Sequence, residues 1–535
     1  MKEKKADFGH SPLVNAIKKA YQDGEEDESL EPIIAVDSQA RPLGRFKDGD
    51  CVIFYDIRGE REVELTKSLI EKDFKYFPVR KNIRLNFVTM IEYDPSLEVR
   101  VAFPAEGQIR NTLSEIVSQA GLKLAKIAES EKAVHIGFFM NGRSNQVFAG
   151  EERWIVPSPQ GINSYASVPE MSAEEVGEAV RAKIDDPSYQ MIMANLANVD
   201  VVGHLEDKQA VLKAVETVDE ELGKIIKACF HKRITLVVTS DHGTVEEWLY
   251  EDGSVNTGHT KNPVPFILSD FSVPKPKDWI LRKKGELSDV APTVLELLGL
   301  EKPLSMTGKS LFLNSPKLPS VKRRVLLLIL DGWGMRDKKE GNLLAEAQTP
   351  HFDRLWSDYP HAQLQASGEA VGMPADTVGN SEAGHLHIGA GRRILLDRVR
   401  IDKAIQEGSF YKNQAFLWAM EGAKKKDKAL HLLGIVSHYS SHGTIEHLQQ
   451  LLRLAKQTKV KEVYVHSLIG RRGEKPESGA VYVNKVEKMC RGLSLGRVVT
   501  VMGRFWALDR EENWDRVEKA YKALVCGEGK KVTME

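Results

Sequence analysis

The stretch Arg324-Val-Leu-Leu-Leu-Ile-Leu-Asp-Gly-Trp-Gly334 decides the fold. Its six consecutive apolar residues predict a strand that is buried on both faces, as in a parallel sheet, and an aspartate follows at once. Thr235-Leu-Val-Val-Thr239 repeats the pattern before Ser240-Asp-His-Gly243. Because strand and helix patterns alternate along most of the chain, we predict an α/β fold with largely parallel strands. Ligands bind beyond the carboxyl ends of such strands, so Asp241 and Asp331 predict a metal site.

Length and charge exclude several other classes of protein. A chain of 535 residues is too long for one ordinary core and predicts two domains. A net charge of −1 gives no general attraction to nucleic acid or to a membrane, and the most apolar run is too short to span a bilayer. The four cysteines are scattered without a Cys-x-x-Cys pair, which is typical of reduced thiols. We therefore expect a cytoplasmic protein, monomeric, with a small-molecule partner.

Acidic and imidazole side chains recur in short motifs that predict metal ligands. Asp200 and His204 are four residues apart and therefore project to one side of a helical turn. Asp241 and His242 are adjacent at a predicted strand end, and His259 follows a glycine on a loop. Carboxylates combined with imidazoles suit manganese, zinc or cobalt better than calcium. A pair of such ions about 3.5–4 Å apart can stabilise both the attacking and the leaving oxygen of a displacement.

A serine in a glycine-rich segment supplies a candidate nucleophile. Ser381 lies in Gly379-Asn-Ser-Glu382, where glycine allows the backbone to approach a phosphate closely. A free serine hydroxyl is a weak nucleophile, and coordination to a metal is one way to activate it. Taken singly, each motif is more often structural, since such a serine is usually a turn residue. Their joint position at predicted strand ends favours phosphoryl transfer.

The motifs together resemble those of the cofactor-independent (2,3-bisphosphoglycerate-independent) phosphoglycerate mutases of the alkaline phosphatase superfamily. The most specific is Val378-Gly-Asn-Ser-Glu-Ala-Gly-His-Leu-His-Ile-Gly-Ala-Gly-Arg392. The other matching segments are Leu330–Gly334, Val52–Arg58, Asn195–His204, Ser240–Gly243, Gly258–Pro265 and Met306–Gly308. The resemblance implies an alkaline-phosphatase-like α/β domain, a smaller α/β transferase domain, and the glycolytic isomerisation of 3- to 2-phosphoglycerate.

Relative to that family, the segments stand in a circularly permuted order. The family has the Asp-Gly-Trp-Gly strand near its N-terminus and the Met-Thr-Gly segment near its C-terminus. Here Met306-Thr-Gly308 comes first, and a proline-containing linker over 313–323 leads to Asp331. We therefore expect a continuous phosphatase domain over 106–395 and a transferase domain in two parts, 1–105 and 396–535.

The resemblance also implies the roles of individual residues. It implies two divalent ions, with manganese as the first choice and zinc, cobalt or magnesium as alternatives. One ion would be held by Asp200, His204 and His259, and the other by Asp331, Asp241, His242 and Ser381. Ser381 would take the phosphoryl group, with Lys132 and His442 as catalytic partners. The implied substrate-binding residues are Arg58, Arg61, Arg472, Arg504, Arg510, Lys132 and His442.

The resemblance fails at Ile469-Gly-Arg-Arg-Gly-Glu-Lys-Pro476. The family has Asp-Gly-Arg-Asp there, so Arg472 matches the arginine while the two aspartates fall on Gly470 and Gly473. The second aspartate is thought to handle the proton of the glycerate hydroxyl, and glycine cannot act as a general base. The alternative is therefore a metal-dependent phosphatase, or a phosphomutase for a related phosphorylated or phosphonate acid. A non-catalytic binding protein is a third interpretation, against which the intact ligand set argues.

Overall fold

The computed structural model describes residues 11–534 except 106, 163, 251, 272–278, 314–322, 438–441 and 471–476. The chain forms two compact units: unit 1 comprises the residues up to Ala105 and from Arg400 onwards, and unit 2 comprises residues 106–399. Most of the linker predicted over 313–323 lies outside the described residues, as do Arg472 and Gly473.

The strands of the described residues are, in chain order, β1 (Ile33–Val36), β2 (Cys51–Phe54), β3 (Asn86–Ile91), β4 (Arg100–Phe103), β5 (Lys123–Glu129), β6 (Glu151–Val156), β7 (Tyr189–Leu196), β8 (Thr235–Thr239), β9 (Val264–Asp270), β10 (Lys284–Glu286), β11 (Val325–Leu330), β12 (His361–Gln365), β13 (Leu430–Ile435), β14 (Val463–Ile469), β15 (Arg497–Gly503) and β16 (Lys530–Thr533).

The α-helices of the same residues are α1 (Pro12–Gln22), α2 (Val63–Ile70), α3 (Leu113–Gln119), α4 (Ala173–Asp185), α5 (Asn198–Gly203), α6 (Lys208–Lys232), α7 (Val290–Leu298), α8 (Leu343–Glu346), α9 (Pro350–Asp358), α10 (Ser381–Ala390), α11 (Asp397–Gln406), α12 (Gln414–Ala423), α13 (Ile445–Gln457), α14 (Ser478–Leu493), α15 (Arg504–Ala507) and α16 (Trp514–Tyr521). None of these helices is both long and apolar enough to cross a membrane.

The sheet of unit 1 is completed by two distant parts of the chain. Its strand order is β16-β1-β15-β14-β13-β2-β3-β4, so the first four and the last four strands of the chain share one sheet. Neighbouring strands are parallel except for the pair β1 and β15. The central strands β13 and β2 are buried along their whole length, which explains the unbroken apolar run of β2, whereas β13 also buries His431. Residues 1–105 and 400–535 therefore depend on each other for one core.

The sheet of unit 2 has β11 near its centre. The strand order is β10-β12-β9-β8-β11-β7-β5-β6, with antiparallel pairing only of β9 with β8 and β12. All six residues of β11 are buried, which confirms the strand predicted from the apolar run. Leu330 pairs with Leu196 of β7, and Ile329 pairs with Thr239 of β8. This register sets the carboxyl ends of three strands side by side, as the predicted metal site requires.

The helices of unit 2 cover the sheet with amphipathic faces, and α6 is the longest example. Asp207 caps its first turn, since the carboxylate accepts hydrogen bonds from the backbone N–H groups of Gln209 and Ala210. Its buried residues recur every three or four positions, which is the spacing of one helical face. Arg233 ends the helix with a left-handed backbone, φ 56°.

Candidate active site

Three aspartates converge where the central strands of unit 2 end. Asp331 directly follows β11, Asp241 follows β8 by two residues, and Asp200 lies in α5 just after β7. Asp331 and Asp241 are fully buried, and Asp200 is 6% exposed. Gly332 makes the close approach feasible, because its φ is +82° and a Cβ there would lie 2.7 Å from the backbone nitrogen of Asp200. Burying three carboxylates together is costly unless cations compensate them.

Lys132 supplies one of those cations. Its Nζ donates hydrogen bonds to Asp200 Oδ2 at 2.6 Å, to Asp331 Oδ1 at 2.7 Å and to Ser381 Oγ at 2.8 Å. These three contacts use all the donors of an ammonium group. Burial alone would lower the pKa of Lys132, but the carboxylates of Asp331 and Asp200 outweigh it and raise the pKa above the ordinary value. The lysine is therefore held as a cation against the serine.

Ser381 occupies the first position of α10. Asn380 caps the helix, because its Oδ1 accepts a hydrogen bond from the backbone N–H of Ala383 at 2.8 Å. The serine hydroxyl lies 2.9 Å from His242 Nε2 in addition to its contact with Lys132. Free N–H groups and the helix dipole favour negative charge at a helix N-terminus. An oxygen at this position is thus surrounded by groups that stabilise an oxyanion or a phosphate.

The Nε2 atoms of His204 and His259 face Asp200. His204 Nδ1 donates to the carbonyl oxygen of Thr257 at 2.7 Å, and His259 Nδ1 donates to that of Gly379 at 2.8 Å. With Nδ1 protonated, each Nε2 of the neutral ring is an acceptor. The two Nε2 atoms are 3.2 Å apart and lie 3.3 and 3.2 Å from Asp200 Oδ1.

This arrangement fits a bound cation. Asp200 Oδ1 is buried and makes no hydrogen bond of acceptable geometry, although three ring nitrogens surround it. Burial opposes a charge on His259, but Asp200 raises the pKa of both imidazoles, so positive charge is favoured at this point, and a divalent ion there would supply it. Asp200, His204 and His259, which the sequence predicts as one ligand set, are therefore brought together by the structure in a form that suits a divalent metal ion.

His242 joins this set to the second predicted set. Its Nε2 is 3.5 Å from Asp200 Oδ1, 3.5 Å from Asp331 Oδ1 and 3.6 Å from Asp241 Oδ2. Asp241 Oδ2, like Asp200 Oδ1, is buried without a hydrogen bond. The structure thus brings Asp241, His242, Asp331 and Ser381 to one place, next to the first set. Those donors would hold a second ion.

His385, one helical turn after Ser381, is a residue of the site that the sequence motifs did not predict. His385 Nδ1 lies 2.9 Å from the carbonyl oxygen of Ser381 and 3.2 Å from Asp241 Oδ2. Its Nε2 accepts a hydrogen bond from Asn195 Nδ2, which also donates to Asp331 Oδ2 at 2.6 Å. His385 contacts Asp241 directly and Asp331 through Asn195, and its ring, Asp241 and Asp331 each offer a ligand atom within 4.8 Å of one another. The spacing of four from Ser381, the same as between Asp200 and His204, is the signal that could have found it.

The predicted substrate arginines lie in unit 1. A cavity of about 300 Å³ is lined by Glu28, Arg61, Arg504, Phe505, Leu508, Asp509, Arg510, Glu511 and Arg516. Arg58 does not line it, but Arg58 Nε and Arg510 Nη1 share Glu60 Oε1 at 3.0 and 2.9 Å. The structure therefore brings Arg61, Arg504 and Arg510 to one cavity, while Arg472 lies outside the described residues.

His442, the remaining predicted residue, is buried beside this cavity. Its Nδ1 lies 3.1 Å from Glu62 Oε1, and its Nε2 lies 3.4 Å from Arg504 Nη1. The carbonyl oxygen of His442 accepts a hydrogen bond from the backbone N–H of Ile57 at 2.5 Å. These contacts fix the ring between β2 and α15.

Comparison with known proteins identifies the class of this site. Residues 6–302 match the sequence model of the metalloenzyme superfamily, and residues 401–535 match that of the BPG-independent PGAM N-terminus. Because the first match covers more than half of the chain, the chain belongs to the metalloenzyme superfamily. The family and the donor set agree that the site of unit 2 binds divalent metal ions.

Individual relatives carry a more specific name. A protein of Methanococcoides burtonii named "2,3-bisphosphoglycerate-independent phosphoglycerate mutase" is 42% identical over 306 residues, 56% of this chain and 58% of that protein. One of the same name from Moorella thermoacetica is 42% identical over 301 residues, 56% of this chain and 57% of that protein. The chain thus spans little more than half the length of these curated relatives in the matched region. A solved structure of Leishmania mexicana phosphoglycerate mutase at low cobalt concentration is 27% identical, covers 52% of this chain and 53% of that chain, and has a TM-score of 0.36.

Proposed function

We propose that this protein is a metal-dependent phosphomutase that interconverts 3-phosphoglycerate and 2-phosphoglycerate through a phosphoserine at Ser381. One observation carries the proposal: Ser381 Oγ lies between Lys132 Nζ, at 2.8 Å, and His242 Nε2, at 2.9 Å, at a helix N-terminus beside three buried carboxylates. That is the environment of an activated nucleophile. The names of the relatives give the substrate.

In this mechanism the phosphoryl group moves twice. Ser381 Oγ, already deprotonated, attacks phosphorus, the bond from phosphorus to the glycerate oxygen breaks, and that oxygen takes up a proton. The other hydroxyl of glycerate then loses its proton and attacks the phosphoserine, which restores Ser381. Lys132 and the N-terminal amides of α10 stabilise the negative charge of the transferring group. When bound, the metal ions lower the pKa of the serine hydroxyl and offset the charge of the phosphate oxygens.

We assign manganese as the preferred metal, with zinc, cobalt or magnesium as alternatives. The proposed ligands of one ion are Asp200, His204 and His259, and those of the other are Asp331, Asp241, His242 and Ser381. Mixed carboxylate and imidazole donors support a transition metal over calcium. The cytoplasm is the proposed compartment, supported by the four cysteines, which are all free thiols.

The substrate of this proposal is a dianion or trianion, which needs cationic partners. Guanidinium groups match both carboxylate and phosphate with paired hydrogen bonds. Arg61, Arg504 and Arg510 are proposed to bind it in the cavity of unit 1, together with Arg58 and Arg472. Two domain roles follow as part of the proposal: unit 2 is the phosphatase-like domain, and unit 1 is the transferase domain.

We further propose that the chain is a circularly permuted member of its family. Support comes from the order of the matches, because a model described as an N-terminus aligns with residues 401–535, after the metalloenzyme match at 6–302. Matches that cover only 56% of this chain are also expected, since a collinear alignment can follow only one of two exchanged segments. A variant in which residues 324–534 precede residues 11–313 should fold and keep its activity. Failure of that variant to fold would count against the permutation.

The function is tested by incubating the purified protein with manganese and 3-phosphoglycerate while 2-phosphoglycerate and free phosphate are both followed. Formation of 2-phosphoglycerate with little phosphate is expected. Free phosphate alone would favour the alternative, a metal-dependent phosphatase, which is motivated by Gly473 in place of the family's aspartate. Neither product, with metal bound, would favour a related phosphorylated or phosphonate acid as the substrate.

A further inference from the structure

The proposed phosphoryl transfers need a side chain that donates a proton to one glycerate oxygen and accepts a proton from the other. The departing glycerate oxygen must receive one, and the attacking hydroxyl must lose one. The family's aspartate for this task is replaced by Gly473, so another group of unit 1 has to do it. A suitable group must be a base or an acid near the arginine-lined cavity, with one face buried and the other turned towards the substrate.

A buried trio of ionisable side chains meets that description. Asp56, Glu62 and His442 bring one ligand-type atom each within 4.8 Å of one another, and all three are buried. His442 Nδ1 lies 3.1 Å from Glu62 Oε1, which sets the proton on Nδ1 and leaves Nε2 as the reactive atom. That Nε2 faces Arg504, which lines the cavity.

The two carboxyl groups of the trio differ in their hydrogen-bond partners. Burial, and then the neighbouring Glu62, raise the pKa of Asp56 well above its ordinary value. Asp56 Oδ1 accepts the backbone N–H of Ile435 at 2.7 Å, whereas Asp56 Oδ2 and Glu62 Oε2 are buried without a hydrogen bond. Two adjacent buried carboxyl groups do not both ionise readily, so a proton shared within the trio is favoured. Glu62 and Arg504 contact the His442 ring, and Asp56, Tyr55, Tyr93 and Glu28 are further titratable groups next to them.

We propose that Glu62 is a positioning residue that makes His442 the proton donor and acceptor for the glycerate hydroxyls. This inference rests on the proposed function. In the first transfer the Nε2 proton of a doubly protonated His442 moves to the departing oxygen as its bond to phosphorus breaks. In the second transfer the attacking hydroxyl returns a proton to Nε2 as the bond between phosphorus and Ser381 Oγ breaks. The carboxylate of Glu62 stabilises the charged ring and fixes its orientation.

Glu62→Gln tests the charge, because glutamine keeps the shape and an acceptor for Nδ1–H. Relative to wild type with manganese and 3-phosphoglycerate, kcat should fall about 100-fold while KM changes little. The limb of the pH–rate profile that reports the protonated ring should move to lower pH by about one unit. Glu62→Asp, which keeps the charge, should recover part of the rate. Glu71→Gln, an exposed position just after α2, is the matched control and should behave as wild type.

A double variant shows whether Glu62 acts through His442. Glu62→Gln combined with His442→Asn should be no slower than His442→Asn alone, because residues that act as one unit are not additive. The proposal would be overturned if the fold-decreases in kcat of the two single variants multiplied in the double variant. It would also be overturned by a Glu62→Gln variant that is slow but has an unchanged pH profile. Loss of a bound manganese equivalent in Glu62→Gln would also overturn it, by showing that the trio holds a cation.

The outcomes separate this inference from the proposed function. A wild-type protein that forms no 2-phosphoglycerate would refute the function, and the proton role of His442 with it. A wild-type mutase whose Glu62→Gln variant keeps full kcat at every pH would refute this inference alone. Thermal unfolding of each variant, compared with wild type, identifies a loss of activity that comes only from misfolding.

Discussion

Replacing Lys132 with methionine removes the cation at the centre of the site and keeps most of the side-chain volume. Lys132 Nζ contacts Asp200 Oδ2 at 2.6 Å and Asp331 Oδ1 at 2.7 Å, and the two carboxylate side chains are only 8% and 0% exposed. Removing one partner of a buried ion pair leaves an uncompensated charge, which costs about 3–5 kcal/mol. We expect the metal-free protein to lose that much unfolding free energy.

Bound manganese should reduce the loss. Divalent ions at the same carboxylates replace the missing positive charge, so that the remaining cost is that of lost hydrogen bonds, about 1–2 kcal/mol. The difference, about 2–3 kcal/mol, must reappear as tighter metal binding by the variant, because the two effects are linked. Since each 1.4 kcal/mol is tenfold, Lys132→Met should bind manganese roughly 30- to 150-fold more tightly while losing activity.

The assay must report unit 2 by itself, because a protein of two units need not unfold in one step. Hydrogen exchange of peptides from β7 and β11, followed across a urea series by mass spectrometry, gives the unfolding free energy of that unit. Lys208→Met is a matched control: Lys208 Nζ also lies 2.6 Å from its partner, Glu346, but the side chains are 44% and 41% exposed. The control should lose less than about 1 kcal/mol with or without metal.

One result would refute the reasoning about charge. If Lys132→Met lost the same unfolding free energy with manganese as with a chelator, then the lysine and the metal would not share the carboxylates. Weaker manganese binding by the variant would contradict it equally. Either outcome would make the role of Lys132 one of packing.

Three further predictions concern unit 2. Ser381→Ala should abolish both 2-phosphoglycerate formation and the phosphoserine detected by mass spectrometry, while the loss of its hydroxyl contacts costs only about 1 kcal/mol of unfolding free energy; an active variant would exclude Ser381 as the nucleophile. Removing the metal with a chelator should abolish activity. If manganese was present at 100 times its Kd, its removal should also lower the unfolding free energy by about 3 kcal/mol per ion. A melting temperature that does not change with manganese concentration would contradict this. Burial lowers the pKa of Lys126 to about 7, whereas an unfolded lysine has about 10.4. The unfolded chain therefore binds one more proton between these values, and the stability of unit 2 should rise as pH is raised from about 7 to about 10. Lys126→Met removes the titrating group and should flatten that rise. Glu151 does not lose its charge partner in this variant, because Arg153 Nε lies 2.7 Å from it. An unchanged slope of stability against pH would assign the rise to other groups.

Much of the fold could be predicted because its signals are local. The apolar runs of β8 and β11 are visible without knowledge of their neighbours, since a strand buried on both faces needs apolar residues at every position. The same reasoning predicted that Asp241 and Asp331 would follow strand ends. The helical spacing of Asp200 and His204 likewise predicted that both would project to one side, and the structure places His204 Nε2 3.3 Å from Asp200 Oδ1.

Other features could not be predicted, because they depend on partners far away in the chain. His385 is one turn from Ser381, but its role is set by Asn195, whose amide joins it to Asp331. Glu62 stands in an ordinary charged segment, and only the packing of α2 against the loop before α13 places it on His442. Which of two buried carboxyl groups keeps its charge depends on burial and on nearby dipoles, and neither can be read from residue type.

By itself the sequence determined which elements form, which strand ends carry acids, and which residue types could hold metal and phosphate, because spacing along one helix or strand fixes these. Only the tertiary structure decided that Lys132, Asp200, His242 and Ser381 share one small volume. Lys132 follows β5, Asp200 lies in α5 after β7, His242 follows β8 and Ser381 begins α10, so the pairing of distant strands and the docking of a helix bring these atoms together. Chemistry that needs atoms within 3 Å is therefore determined by long-range strand pairing.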